Sequence, residues 1–177
     1  LAAAALLGVD EVYALGGAQA IAALAFGTES VPAVEKVVGP GNAHVTAAKA
    51  LVRDRVGIDA LAGPSEVLLV VDAVDGVDAG TLAGWALAEL RAQLEHGPGA
   101  SALLLARDRS LARAVAQGLR PEELDRRHAA VLTYADLDAA VAFSNAYAPE
   151  HLALWGGAVE ARLDAFTSAG SVFLGPW

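Results

Sequence analysis

The chain has 177 residues, 55% of them hydrophobic, with glycine and proline scattered rather than clustered, which suffices for the core of one domain or two small ones. Its 21 acidic and 12 basic residues give a formal net charge of −9, which argues against a basic nucleic-acid footprint. Cysteine is absent, so disulfides, thiolate metal ligands and thiol nucleophiles are all excluded.

No apolar run approaches the roughly 20 residues that span a bilayer, and no basic-then-apolar signal segment opens the chain. A soluble, unexported, cytoplasmic protein is the expectation. The chain has no methionine and begins at Leu1 inside an Ala-rich helical pattern, as a piece of something longer would. The short runs Arg107-Asp108-Arg109 and Arg126-Arg127-His128 read as solvated surface.

Leu1 to Leu7 reads as the end of a helix stopped by Gly8, and Glu11-Val12-Tyr13-Ala14-Leu15 has the length and branching of a buried strand. Gly16-Gly17 turns the chain into a helix from Ala18 to Phe26, with Ile21, Leu24 and Ala25 on one side and Gly27 as the stop. A second short strand at Glu35-Lys36-Val37-Val38 runs into Gly39-Pro40-Gly41-Asn42 and a helix from Ala43 to about Arg53. Both turns set glycines between a strand and a helix, where the backbone approaches ligands closely and helix amides hold anions. Gln19 and Asn42 stand there. The full Gly-x-Gly-x-x-Gly fingerprint is missing, so nucleotide binding and a ligand-free turn both stay open.

Gly57-Ile58-Asp59 and Ala62-Gly63-Pro64-Ser65 form a turn-rich patch that reads as a hinge between two lobes. Strand Val67 to Val71 follows, then a long helix from Ala79 to His96 capped by Asp78, and a strand from Ala102 to Ala106. Ser110 to Gly118 reads as helix, Pro121 opens a short helix, and Ala130 to Thr133 is a strand. Asp136 caps a helix from Leu137 to Tyr147, strand Leu152 to Trp155 comes next, and a helix near Val159 to Phe166 precedes Ser171-Val172-Phe173-Leu174. This alternation predicts an α/β protein with two Rossmann-like parallel-sheet lobes. The expected division is 1–61, the second half of a nucleotide lobe and therefore incomplete, and 62–177.

The long helix turns polar where it ends, at Gln93 and His96, which are i and i+3 neighbours on one helical face. Solvation at a helix C-terminus explains such a pair, and so does a grip on a metal or substrate. His96 at a helix end and Ser65 and Glu150-His151 just before strands belong to the amino edge of the second sheet, so these residues and Gln93 are expected near one another. Glu150 and His151 are bases of different strength, suited to two successive proton transfers. Adjacent residues on a regular strand point to opposite sides, although the backbone after Pro149 need not be regular. His44 and His128 read as structural or surface residues.

Together, Gly16-Gly17-Ala18-Gln19-Ala20-Ile21-Ala22-Ala23-Leu24, Gly39-Pro40-Gly41-Asn42, Ala62-Gly63-Pro64-Ser65-Glu66, Gln93-Leu94-Glu95-His96, Pro149-Glu150-His151-Leu152 and Ser168-Ala169-Gly170-Ser171-Val172-Phe173-Leu174-Gly175 strongly resemble histidinol dehydrogenase. The resemblance covers essentially the whole chain. It implies a zinc-dependent, NAD-linked homodimeric enzyme that oxidises L-histidinol to L-histidinaldehyde and then to L-histidine. By motif match it makes Gln93 and His96 zinc ligands and assigns Gln19 and Asn42 to NAD. Ser65, Gln93, His96 and His151 would hold substrate, and Glu150 and His151 would carry the proton chemistry. The family supplies further zinc ligands, an aspartate and a histidine, from a region beyond Gly175-Pro176-Trp177. Leu94 stands where alanine is usual, and His44 where an aromatic is commoner. A non-catalytic nucleotide-binding or dimerisation fragment, and a dehydrogenase of another amino alcohol, share these motifs.

Overall fold

The computed structural model describes residues 1–61, 63, 65–97, 99–125 and 128–176. Parts of the expected hinge (Ala62, Pro64), Pro98, Arg126-Arg127 of the run expected to be solvated and the terminal Trp177 lie outside the described residues. The chain divides into two compact units, Leu1–Gly63 and Pro64–Trp177. No helix among the described residues is long and apolar enough to cross a membrane.

The first unit contains α1 (Ala2–Leu6), α2 (Gly17–Phe26), β1 (Lys36–Val37), α3 (Ala43–Val52) and β2 (Gly57–Ile58). Ile21 and Ala25 of α2 pack with Val37, Val52 and Val56 into a small core. The strand expected at residues 11–15 does not form, and Val12, Tyr13 and Leu15 are exposed. Branching favours extended backbone, but a strand exists only by pairing. Among the described residues the one ladder in this unit joins β1 to β2 in parallel, Lys36 opposite Gly57 and Val37 opposite Ile58. Gly57-Ile58, expected as turn, is thus a strand too short to show a period of two.

The second unit contains β3 (Glu66–Val71), α4 (Ala79–Leu94), β4 (Ser101–Ala106), α5 (Arg109–Gly118), α6 (Pro121–Asp125), β5 (Ala129–Thr133), α7 (Leu137–Tyr147), β6 (His151–Trp155), α8 (Gly157–Glu160) and β7 (Ser171–Leu174). The helix expected near Val159 to Phe166 is divided between α8 and a 3-10 turn at Leu163–Ala165. The five strands are all parallel, in the order β5-β4-β3-β6-β7. Strand order therefore reverses between β3 and β6, the switch point of a doubly wound sheet.

Both faces of this sheet are covered, which explains why β3 reads as an unbroken apolar run. Val67, Leu69 and Val71 pack with Leu82, Ala86 and Leu90 of α4 and with Leu111 and Val115 of α5. Leu68 and Val70, pointing the other way, pack with Ala140 of α7 and Val159 of α8. Each such aliphatic side chain, fully buried, contributes about 1.5–3 kcal/mol relative to exposure.

The loops leaving the carboxyl ends of the strands are tied down by carboxylates. Asp78 Oδ1 accepts the amides of Gly80 and Thr81 at the start of α4, Asp108 Oδ1 that of Ser110 in α5, and Asp136 Oδ1 that of Ala139 in α7. Glu160 Oε1 accepts the amide of Gly156. At the switch point a Cβ on Gly156 would lie 2.5 Å from the Ala73 carbonyl oxygen, so the two loops meet there backbone to backbone. At the other side of the sheet β7 forms one edge, with all four residues exposed.

Candidate active site

The amino edge of the five-stranded sheet collects polar side chains from consecutive strands. Ser65 precedes β3, and its carbonyl accepts the Ser101 amide at the start of β4 (3.0 Å). On the other side of β3, Val67 lies opposite His151, the first residue of β6, and His151 lies opposite Ser171 of β7. Register alone therefore sets Ser65, Ser101 and His151 along one edge.

Glu150 and His151 approach each other, with 3.8 Å between Glu150 Oε2 and His151 Nδ1. They do not diverge as neighbours on a strand would, because Glu150 stands in a bend and β6 begins only at His151. Both side chains keep solvent access, at 52% and 35% of their surface. The His151 ring leans on Phe173 of β7, with centroids 5.8 Å apart at an interplanar angle of 52°.

The end of α4 differs from expectation. The helix stops at Leu94, so His96 lies in the following turn instead of one helical step above Gln93. The cause is local capture of the last carbonyls. The His96 amide donates to Gln93 O (3.2 Å), and ring atom Nδ1 lies 3.1 Å from Gln93 O and 3.2 Å from Ala92 O. A carbonyl can only accept, so Nδ1 is the donor and Nε2 is the ring atom left to face a ligand, the orientation of a metal-binding imidazole. Gln93 is buried to 7% exposure, and its amide Nε2 has no hydrogen-bond partner among the described residues. Amide nitrogen and oxygen exchange places by a simple flip, so the orphaned position accommodates either a donor or a metal-binding oxygen. Among the described residues no three His, Asp or Glu side chains cluster as a metal site, and a zinc ion here would draw on Gln93 and His96.

Two residues without an expected role join this edge. Ser101 Oγ and Tyr147 OH are 2.9 Å apart, and Tyr147 stacks on Phe143 at 6.1 Å. Burial pushes the Tyr147 phenol above its usual pKa, the Ser101 bond acts in the opposite direction, and the Glu66 charge adds to the rise. Residue 101 opens β4 and residue 147 ends α7, so packing of the helix on the sheet brings them together. His128 Nδ1 bonds Ala100 O at 3.0 Å, a link between the starts of β5 and β4. His44 is exposed.

Gln19 and Asn42 lie in the first unit. Gln19 is exposed in the first turn of α2. Asn42 is the N-cap of α3, its Oδ1 accepting the amides of His44 and Val45 at 3.1 Å each. The loop before it is pinned at Gly39, whose amide donates to Asp59 Oδ2 (2.8 Å) and whose carbonyl accepts from Lys49 Nζ. Lys49 Nζ also bonds Asp59 Oδ1 at 2.7 Å. This ammonium, with the amides of Gly39 and Ala60, holds the Asp59 carboxyl far below its usual pKa.

Fold and edge chemistry define an α/β protein with a carboxylate and an imidazole side by side at the start of an inner strand, a pairing suited to moving protons. The family model for histidinol dehydrogenase matches residues 1–177, and the chain belongs to that family. It is 49% identical over 187 residues to histidinol dehydrogenase of Natronomonas pharaonis, covering 99% of this chain and 43% of the relative. Against the Salmonella typhimurium enzyme it is 46% identical over 190 residues, covering 100% of this chain and 42% of the relative. The crystal structure of histidinol dehydrogenase from Elizabethkingia anophelis superposes with a TM-score of 0.77 at 36% identity, over 97% of this chain and 41% of that one. The chain thus spans less than half the length of these relatives.

Proposed function

We propose that the full-length protein carrying this chain catalyses the NAD-dependent, zinc-requiring oxidation of L-histidinol to L-histidine through L-histidinaldehyde, as a cytoplasmic homodimer. The observation that supports this reading best is the 3.8 Å approach of Glu150 and His151 at the amino end of β6, together with membership of the family. In this reading the first unit is the nucleotide side and the second the zinc and substrate side.

Zinc, when bound, supplies a positive centre for the substrate's nitrogens, and NAD supplies the hydride acceptor. Gln93 and His96 fit the zinc role, since one is a buried amide with an orphaned atom and the other an imidazole with its Nε2 left to face a ligand. Ser65, Gln93, His96 and His151 hold the substrate, and Gln19 and Asn42 contact the dinucleotide. His151 takes the alcohol's hydroxyl proton as hydride leaves the same carbon, a task that imidazole performs near neutral pH. An aldehyde has no such proton to give. It must first add water, and Glu150 takes a proton from that water as its oxygen bonds the carbonyl carbon. Returned from Glu150 to the former carbonyl oxygen, that proton completes a hydrate, which has a hydroxyl proton and a C–H bond and repeats the first oxidation. Each cycle therefore consumes two hydride acceptors and one water.

The test is steady-state turnover of histidinol by the zinc-loaded full-length protein, with histidine measured as product. A folded, zinc-loaded protein that binds NAD and turns over neither histidinol nor histidinaldehyde would refute the reading.

A further inference from the structure

Glu150 lies outside the ladder between β3 and β6, whose first pair is Val67 with His151. Its orientation must be fixed by something else. The segment before it ends α7 at Ala148, whose φ of 52° and ψ of 61° make it the one non-glycine residue with positive φ among those described. That conformation is disfavoured for any residue with a Cβ. It turns the chain sharply, so that buried Pro149 leads into Glu150 from off the strand axis. Left-handed backbone at such a position needs support from its surroundings.

The support comes from residues 165–171. The Gly170 amide donates to Pro149 O at 3.0 Å and the Ser171 amide to Glu150 O at 2.8 Å. A Cβ on Gly170 would lie 2.8 Å from that Glu150 oxygen and 3.5 Å from the Glu150 carbonyl carbon and Cα. Only a residue without a side chain permits this approach. The same segment is tied to α7 by Asn145, which donates from Nδ2 to Ala165 O (2.8 Å) and accepts the Thr167 amide on Oδ1 (2.9 Å). One loop therefore holds the Pro149 and Glu150 carbonyls, and Asn145 anchors that loop to α7.

We infer that Gly170 is a positioning residue: its backbone, in a segment that Asn145 anchors to α7, holds the Glu150 peptide just ahead of β6 and so keeps the Glu150 carboxylate beside the His151 imidazole. The inference rests on the proposed assignment of these two groups as bases. A side chain at position 170 pushes first on the Glu150 carbonyl. His151 has a further hold outside this segment, in its ladder with Val67 of β3. The step served by Glu150 is therefore the more sensitive one.

The test compares Gly170→Ala and Asn145→Ala with the parent in the full-length, zinc-loaded protein. Expected for Gly170→Ala is a fall of about 100-fold in kcat for histidinaldehyde oxidation, the scale of a misplacement near 1 Å. The fall in kcat for histidinol is smaller, and KM for NAD and zinc content are retained. Asn145→Ala gives the same split to a lesser degree, and it carries the test alone where Gly170→Ala fails to fold. A folded variant with parental kcat on both substrates overturns the inference, as does a loss spread equally over kcat, zinc content and KM for NAD. Should Glu150→Gln turn over like the parent, the assignment of Glu150 as a base falls, and the clamp is then judged by NMR of the His151 ring in Gly170→Ala. Displaced ring resonances support it, and unmoved ones overturn it.

Discussion

The two ends of the five-stranded sheet carry carboxylates in their loops and use them differently. At the carboxyl ends, Asp78, Asp108 and Asp136 each accept amide hydrogens at the start of the following helix, and Asp72 pairs with Arg107 at 3.1 Å. At the amino ends, Glu150 faces an imidazole at 3.8 Å, and Gln93 keeps a buried amide atom without a partner among the described residues. A helix start leaves several amides without an internal partner, so a carboxylate there is occupied by folding. A strand start preceded by a tight turn makes no such demand, and its side chains remain available to ligands. The usual rule places ligands at the carboxyl ends of an open parallel sheet. Here the backbone contact of Gly156 with Ala73 fills that switch point, and the side chains suited to chemistry stand at the opposite edge.

The widest separation between the two edges is expected from Glu150→Gln. In the full-length protein it should slow histidinaldehyde oxidation by about 10²- to 10⁴-fold while leaving the thermal midpoint close to the parent's. His151→Asn should impair histidinol oxidation at least as severely. If Glu150→Gln slowed both oxidations equally with zinc retained, the division of labour would be wrong. Zinc binding comes next. Four protein or solvent ligands complete a tetrahedral zinc site, and in the proposed reading Gln93 and His96 supply two, so equilibrium dialysis of the 177-residue chain should find no stoichiometric zinc at nanomolar concentration. Stoichiometric uptake would mean that the amino edge is a finished metal site.

At the carboxyl edge the expected losses are in stability. Asp78→Ala should lower the urea midpoint through loss of the α4 cap and leave substrate affinities unaltered. A change in KM for histidinol would break the proposed contrast. Acid should act on the same groups. The Thr81 hydroxyl and amide lower the Asp78 pKa, and the Ser110 hydroxyl and amide lower that of Asp108. These carboxylates stay charged to lower pH in the folded state than in the unfolded one, where the ordinary value is about 3.9. The unfolded chain then binds more protons in acid. Their contribution is complete above the unfolded pKa and is lost as pH falls through the folded values. Urea midpoints measured against pH should therefore decline below about pH 4, and Asp78→Ala should flatten the decline. The smallest effect belongs to Ala148→Gly, where relief of left-handed strain and extra unfolded-state freedom oppose each other, for a net change within about 1 kcal/mol.

Most elements of the second unit are legible along the chain because their causes are local. The run Val67 to Val71 is apolar because both faces are covered, and Asp78 and Asp136 announce their helices by capping them. The strand expected at residues 11–15 fails because pairing is a property of two segments, and composition describes one. Helix α4 ends before the expected His96 because the capture of its last carbonyls by His96 is a matter of ring orientation. The residues of the proton pair are legible as a motif. Their proximity is not, since Glu150 follows a left-handed Ala148 and its carbonyl packs on Gly170, a residue distant in the sequence. Ser101 and Tyr147 meet through the packing of α7 on the sheet, which no motif carries.

Strand β7 has a consequence of another kind. Val172, Phe173 and Leu174 are 36%, 53% and 46% exposed, and among the described residues no strand pairs with the outer side of β7. Ser171 to Leu174 contains neither a charge nor a proline, the devices that usually blunt such a margin. A row of backbone donors and acceptors flanked by apolar side chains is a template on which an extended segment of another molecule can nucleate. The process is bimolecular, so its rate climbs steeply as the solution is concentrated. The strand that shelters the His151 ring thereby also governs how concentrated the isolated chain can be kept before it aggregates.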